Sequence, residues 1–93
     1  MENFHIDSFD ELFKAVLKLE SIEDCRKCFE DVCTIKELQD VTQRLEVAKL
    51  LKQGLNYQAI SKATGASTAT ISRVNKCLNY GSGGYNIVLE ENK

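Results

Sequence analysis

The chain has 93 residues, 43% apolar and 28% charged, with no proline and a formal net charge of −2 at pH 7. That length bounds it to one domain with a modest core, which must be well packed or completed by a partner. The composition excludes a disordered chain; no apolar run reaches a membrane span and no signal peptide is recognisable, so a cytoplasmic location is expected.

Ser8 and Glu11 have capping-box spacing, which predicts a first helix starting near Ser8. Phe9, Leu12, Phe13, Val16 and Leu17 then follow the i, i+3, i+4, i+7, i+8 pattern of one apolar face. Ser21 begins a second helix, with Asp24 at the third position after it and Ile22, Cys25, Phe29 and Val32 as its apolar positions. Thr34 and Glu37 make another capping box, opening a third helix that runs to about Gln53, with Gly54 as the residue that ends it. Its stripe is Ile35, Leu38, Val41, Leu45 and Ala48, and Val47, Leu50 and Leu51 broaden it beyond one face. Such a helix is either surrounded by its own chain or meets a partner subunit as well. The second reading is preferred, because so small a chain has few elements to cover it. Residues 8–53 are therefore expected to form a helical dimerisation core.

Residues 56–79 read as a helix-turn-helix. Asn56 is a plausible N-cap for a helix over 57–64, and Ser67 for a second from Thr68 to about Leu78. Gly65 sits at the turn and supplies the positive φ that a side chain resists. Ile60 faces the angle between the helices, and Ile71 and Val74 seat the second. The second helix then exposes Thr68, Ala69, Thr70, Ser72, Arg73 and Lys76. These are small, hydroxylic or basic, which suits an element lying in a DNA major groove. An αα-corner that only packs is the plain alternative. Charge favours DNA: from Arg44 to Tyr80 there are six basic residues and one acidic, against five basic and eleven acidic from Met1 to Gln43. The tail, 80–93, opens with a break at Gly81-Ser82-Gly83-Gly84. Tyr85, Val88 and Leu89 then fit a helical turn, while Tyr85, Ile87 and Leu89 fit a strand; a short helix is preferred, because no other strand exists for pairing.

Four cysteines are present, and Cys25 and Cys28 form a CxxC pattern shared by zinc and redox sites. The pair falls inside a predicted helix, and Cys33 and Cys77 do not make a second ligand pair. Buried free thiols are therefore expected, with no metal.

The run Thr64-Gly65-Ala66-Ser67-Thr68-Ala69-Thr70-Ile71-Ser72-Arg73, with Thr34, Gln43-Arg44 and Gly54 before it, resembles the reading head of the Trp repressor superfamily. Val74-Asn75-Lys76-Cys77-Leu78-Asn79-Tyr80-Gly81 and the glycine-rich tail bring the resemblance closer to its YerC/YecD-type branch. The resemblance covers about residues 21–89, and it implies an all-α, intertwined homodimer of about six helices per chain. Two reading heads would face successive major grooves, about 34 Å apart. Carried over by residue, Thr68, Ala69 and Ser72 would face base edges, and Gln58, Ser61 and Thr70 would lie near phosphates. The expected interface is Gln58, Ser61, Ser67, Thr68, Ala69, Thr70, Ser72, Arg73 and Lys76.

In that family an indole ring lies between two arginines, and Arg44 and Arg73 occupy both positions, with Thr34 and Thr70 at two further pocket positions. The family then has glycine immediately after the reading-helix arginine, where this chain has Val74. Overfilling a close-packed site costs on the order of 1–3 kcal/mol. Thr34, Arg44, Thr70, Arg73 and Val74 therefore read as a vestigial pocket: L-tryptophan is not expected as corepressor, nor is any cofactor. The function that follows is a sequence-specific DNA-binding regulator acting as a repressor on double-stranded DNA. The alternatives are a protein-interaction module without specific DNA binding and a cysteine-based metal or redox sensor. No paired carboxylates, nucleophile–base set or phosphate loop suggests an enzyme.

Overall fold

The computed structural model describes residues 6–90, with side chains from Ser8 onward; His5 lies outside them. Six helices and no strand occur among these residues. The chain divides into two compact units, one up to Ile35 and one from Lys36.

The first unit holds α1 (Ile6–Val16) and α2 (Ile22–Val32). Helix α1 begins ahead of its expected start, so Ser8 is an internal residue and not a cap. A capping box ends a helix only where the preceding backbone leaves helical geometry, and here the helical phase continues back to Ile6. Helix α2 starts as expected. The Ser21 side chain accepts from the Asp24 N–H at 3.0 Å, and the Asp24 carboxylate accepts from the Glu20 N–H at 3.3 Å. Neither helix buries its apolar face within the unit: Phe13 of α1 is 55% exposed, Ile22 of α2 is 78% exposed, and no residue of α2 is buried. The thiols depart from expectation as well. All four cysteines are free, but Cys25 and Cys77 are exposed and Cys28 and Cys33 only half-buried.

The second unit is built on α3 (Ile35–Lys52), with α4 (Tyr57–Thr64), α5 (Thr68–Tyr80) and α6 (Gly84–Leu89). Helix α3 opens directly after Thr34 and closes with two bonds: Gly54 N–H donates to Leu51 O at 3.0 Å, and Leu55 N–H to Leu50 O at 3.2 Å. That pair satisfies two carbonyls orphaned by the helix end.

The core consists of Val47, Ala48, Ile60, Ala66, Ile71 and Val74, all 2% exposed or less, with Leu50, Leu51, Tyr57, Leu78, Tyr85 and Leu89 packed against it. Each fully buried Val or Ile contributes about 1.5–3 kcal/mol. The side of α3 that faces this core is the one carrying the residues that broaden the stripe. Val47, Leu50 and Leu51, expected only to broaden the stripe, turn inward with Ala48, whereas Ile35, Val41 and Leu45 are exposed. Three short helices cover only the C-terminal part of an 18-residue helix about 27 Å long.

Helix α5 runs two residues past Leu78, to Tyr80. The ambiguous tail is helical: α6 places Tyr85 and Leu89, one turn apart, against the core, and the Lys52 ammonium donates to the Asn86 side-chain oxygen at 2.6 Å.

Candidate nucleic-acid interface

The helix-turn-helix forms from local signals at its three joints. Asn56 accepts from the Ala59 N–H at 2.9 Å and caps α4; Ser67 accepts from the Thr70 N–H at 3.1 Å and caps α5. Between them Gly65 takes φ +78° and ψ 3°, and its N–H donates to Ser61 O at 2.8 Å. That left-handed conformation is accessible to glycine at no steric cost. Ile60 from α4 and Ile71 and Val74 from α5 are buried in the angle, as their spacing predicts.

Burial of one face of α5 dictates what the other presents. At about 100° per residue, Ala69, Lys76 and Tyr80 lie opposite Ile71, Val74 and Leu78, flanked by Ser72 and Arg73. All five are exposed, as are Ser67 and Thr68. Tyr80, 84% exposed, extends this stripe by a full turn and was not recognised from sequence, which stopped the helix near Leu78. Gln58 is exposed on α4. Ser61 and Thr70 are half-buried and already engaged: the Ser61 hydroxyl donates to Ala66 O at 2.8 Å, and the Ser67 and Thr70 hydroxyls are 3.2 Å apart.

Electrostatically the region is one-sided. No carboxylate occurs between Glu46 and Glu90, while Lys49, Lys52, Lys62, Arg73 and Lys76 do. Ion pairs among the described residues include Glu11–Lys14, Glu23–Arg26 and Lys36–Asp40, all before this stretch. Lys62, Arg73 and Lys76 take part in none of these pairs.

The five residues expected to form a vestigial pocket have different surroundings. Thr34 is exposed and belongs to the first unit; Arg44 and Thr70 are half-buried, Arg73 is exposed, and Val74 is 1% exposed within the core of the second. Two open grooves flank α6 instead. One, of about 480 Å³, runs along α3 past Leu45 and Lys49 to Val88; the other, of about 430 Å³, lies over Cys77, Gly81 and Tyr85. Neither is lined by any of those five residues. Among the described residues no group of three or more His, Cys, Asp or Glu side chains could hold a metal ion, and no helix is long and apolar enough to cross a membrane.

Comparison with known proteins agrees with this geometry. The Trp repressor protein family model matches residues 7–93. The Bacillus subtilis protein YerC is 51% identical over 84 residues, covering 90% of this chain and 81% of its own. A TrpR-like protein from Eubacterium eligens superposes with a TM-score of 0.88 at 47% identity, covering 97% of this chain and 93% of that one. A candidate Trp repressor from Staphylococcus aureus gives 0.87 at 47% identity, over 96% and 89% of the two chains. The chain belongs to the Trp repressor family, a non-enzymatic family of helix-turn-helix DNA-binding regulators that often form dimers.

Proposed function

We propose that this Trp repressor family member is a homodimeric, sequence-specific transcriptional repressor that acts in the cytoplasm by occupying a DNA operator, with α5 in the major groove. One observation carries the proposal: the exposed stripe of α5 holds small, hydroxylic and basic side chains and no carboxylate, directly opposite the face that the core buries. Thr68, Ala69 and Ser72 are the residues assigned to base edges, where a methyl or hydroxyl can meet a thymine methyl or a base acceptor. Arg73 and Lys76 are assigned to phosphates, with Gln58 and the Ser67–Thr70 pair at the edge of the same surface. The Ser61 hydroxyl proton is used inside the turn, so its contribution to DNA binding is to hold that turn.

The uncovered apolar side chains of α1, α2 and the N-terminal part of α3 support a second copy of the chain as partner. Arg44, Arg73, Thr34 and Thr70 retain the types of the family's ligand site, and Val74 argues against L-tryptophan filling it.

Selection of bound duplexes from a random pool tests the proposal, with sedimentation at micromolar concentration alongside. The expected result is a two-fold symmetric motif and twice the monomer mass. Substitutions at Thr68 and Ser72 should change the preferred base pairs. A selected motif indifferent to both residues would refute the assigned reading face, and a clean monomer would remove the two-head arrangement.

A further inference from the structure

Gln43 is a side chain that DNA contact leaves without a role. The turn between α4 and α5 sets the attitude of the reading helix, and the last carbonyls of α4 lose their partners where that helix stops. Several bonds close the turn from inside the motif. Gly65 N–H donates to Ser61 O, the Thr64 hydroxyl donates to Ile60 O at 2.8 Å and accepts from the Ala66 N–H at 3.1 Å, and the Ser61 hydroxyl donates to Ala66 O. One bond comes from elsewhere. The Gln43 side-chain amide, on α3, donates to Thr64 O at 3.2 Å across 21 residues. Among the described residues it is the one side chain outside the motif that hydrogen-bonds to the turn.

Its position explains the contact. Gln43 is half-buried and lies one helical turn before Val47, at the polar end of the face that continues through Leu50 and Leu51 to the core. The packing of Ile60, Ala66, Ile71 and Val74 is non-directional and resists separation of the helices more than small rotations of them. A hydrogen bond from a neighbouring helix is directional and fixes the angle.

We propose that Gln43 is a positioning residue for DNA recognition, tying the turn to α3 and fixing the angle at which α5 meets the groove. The inference rests on the DNA-binding function proposed above. Base-edge contacts demand that angle, whereas cation–phosphate attraction tolerates misalignment. Loss of the bond therefore separates specific from non-specific affinity, which a purely stabilising role would not do.

The test compares the native protein with Gln43→Met, similar in length but with no donor, and Gln43→Glu, isosteric with an acceptor facing the carbonyl. Affinity is measured for the selected operator and for random duplex, at temperatures where the helical circular dichroism of each variant matches the native protein. For Gln43→Met, operator affinity should fall about three- to tenfold, while random-duplex affinity and its salt slope stay unchanged. Gln43→Glu should lower operator affinity further. An unchanged ratio of operator to random affinity in both variants would overturn the proposal, as would a parallel fall in both affinities. If the native chain selects no duplex at all, the DNA-binding function itself fails, a result visible before any variant is made.

Discussion

Val74 carries two consequences that can be measured on the same variants. It is 1% exposed, in the core with Val47, Ala48, Ile60, Ala66 and Ile71. Val74→Ala removes two buried carbons, worth about 0.8 kcal/mol each in transfer, and leaves a cavity. The expected loss is roughly 2–3 kcal/mol. Val74→Gly adds about 1 kcal/mol for glycine in a helix interior. Both losses are below the 5–15 kcal/mol typical of native domains, so both variants should remain folded near room temperature. Urea unfolding at fixed protomer concentration measures them; a loss under about 1 kcal/mol for Val74→Ala would contradict the packing described. Calorimetry with L-tryptophan on the same proteins measures the second consequence. We expect no binding by the native chain, because a β-branched side chain stands at the position where the family has glycine. Saturable micromolar binding by the native protein would refute that steric reasoning. Binding that emerges only in Val74→Gly would support it and identify a site closed by one side chain.

Three further perturbations follow from the joints and charges of the motif. Gly65→Ala should cost about 1–2 kcal/mol, because an added Cβ meets nothing within 4 Å and only the left-handed backbone is penalised. In a domain of this size each kcal/mol lowers the melting temperature by about 4–8 °C, and no measurable shift would contradict the φ of +78°. Ser67→Ala should cost about 1 kcal/mol through loss of the α5 cap, read by the same thermal melt; an unaltered melt would show that the Thr70 N–H finds another partner. Lys76→Ala should weaken operator and random duplex alike and lower the salt slope by about one unit if it meets one phosphate. An unchanged slope would place Lys76 off the DNA.

What the sequence made legible divides by range. Asn56, Gly65 and Ser67 define their joints through contacts of three or four residues, so α4, the turn and the start of α5 could be read to the residue. The Ser8–Glu11 spacing is equally local, yet it misplaced the start of α1, because side-chain spacing does not determine whether the preceding backbone stays helical. The periodicity of α3 identified apolar positions but not their neighbours. Val47 and Val41 are equally apolar, and only the packing of α4 and α5 distinguishes the buried one from the exposed one. Gln43 stood in the sequence only as a family match. Its partner is a backbone carbonyl 21 residues away, and a carbonyl has no sequence signature. Tyr80 was missed because the helix was ended at Leu78, a boundary set here by the turn bond from Gly81 N–H to Cys77 O.

The same division explains how a chain of net charge −2 can be a DNA-binding protein. Eleven of its fourteen carboxylates precede Arg44, and those Asp and Glu side chains partner part of the local cation set through Glu11–Lys14, Glu23–Arg26 and Lys36–Asp40. The cations from Lys52 to Lys76 have no carboxylate within five residues of them in sequence and appear in none of those ion pairs. At physiological ionic strength the Debye length is about 8 Å, so a duplex responds to the charges closest to it and much less to the total. A duplex approached by α4 and α5 meets cations, and such a local field steers the encounter before any base is read. A chain with cations spread over its whole length would gain non-specific phosphate affinity away from α4 and α5.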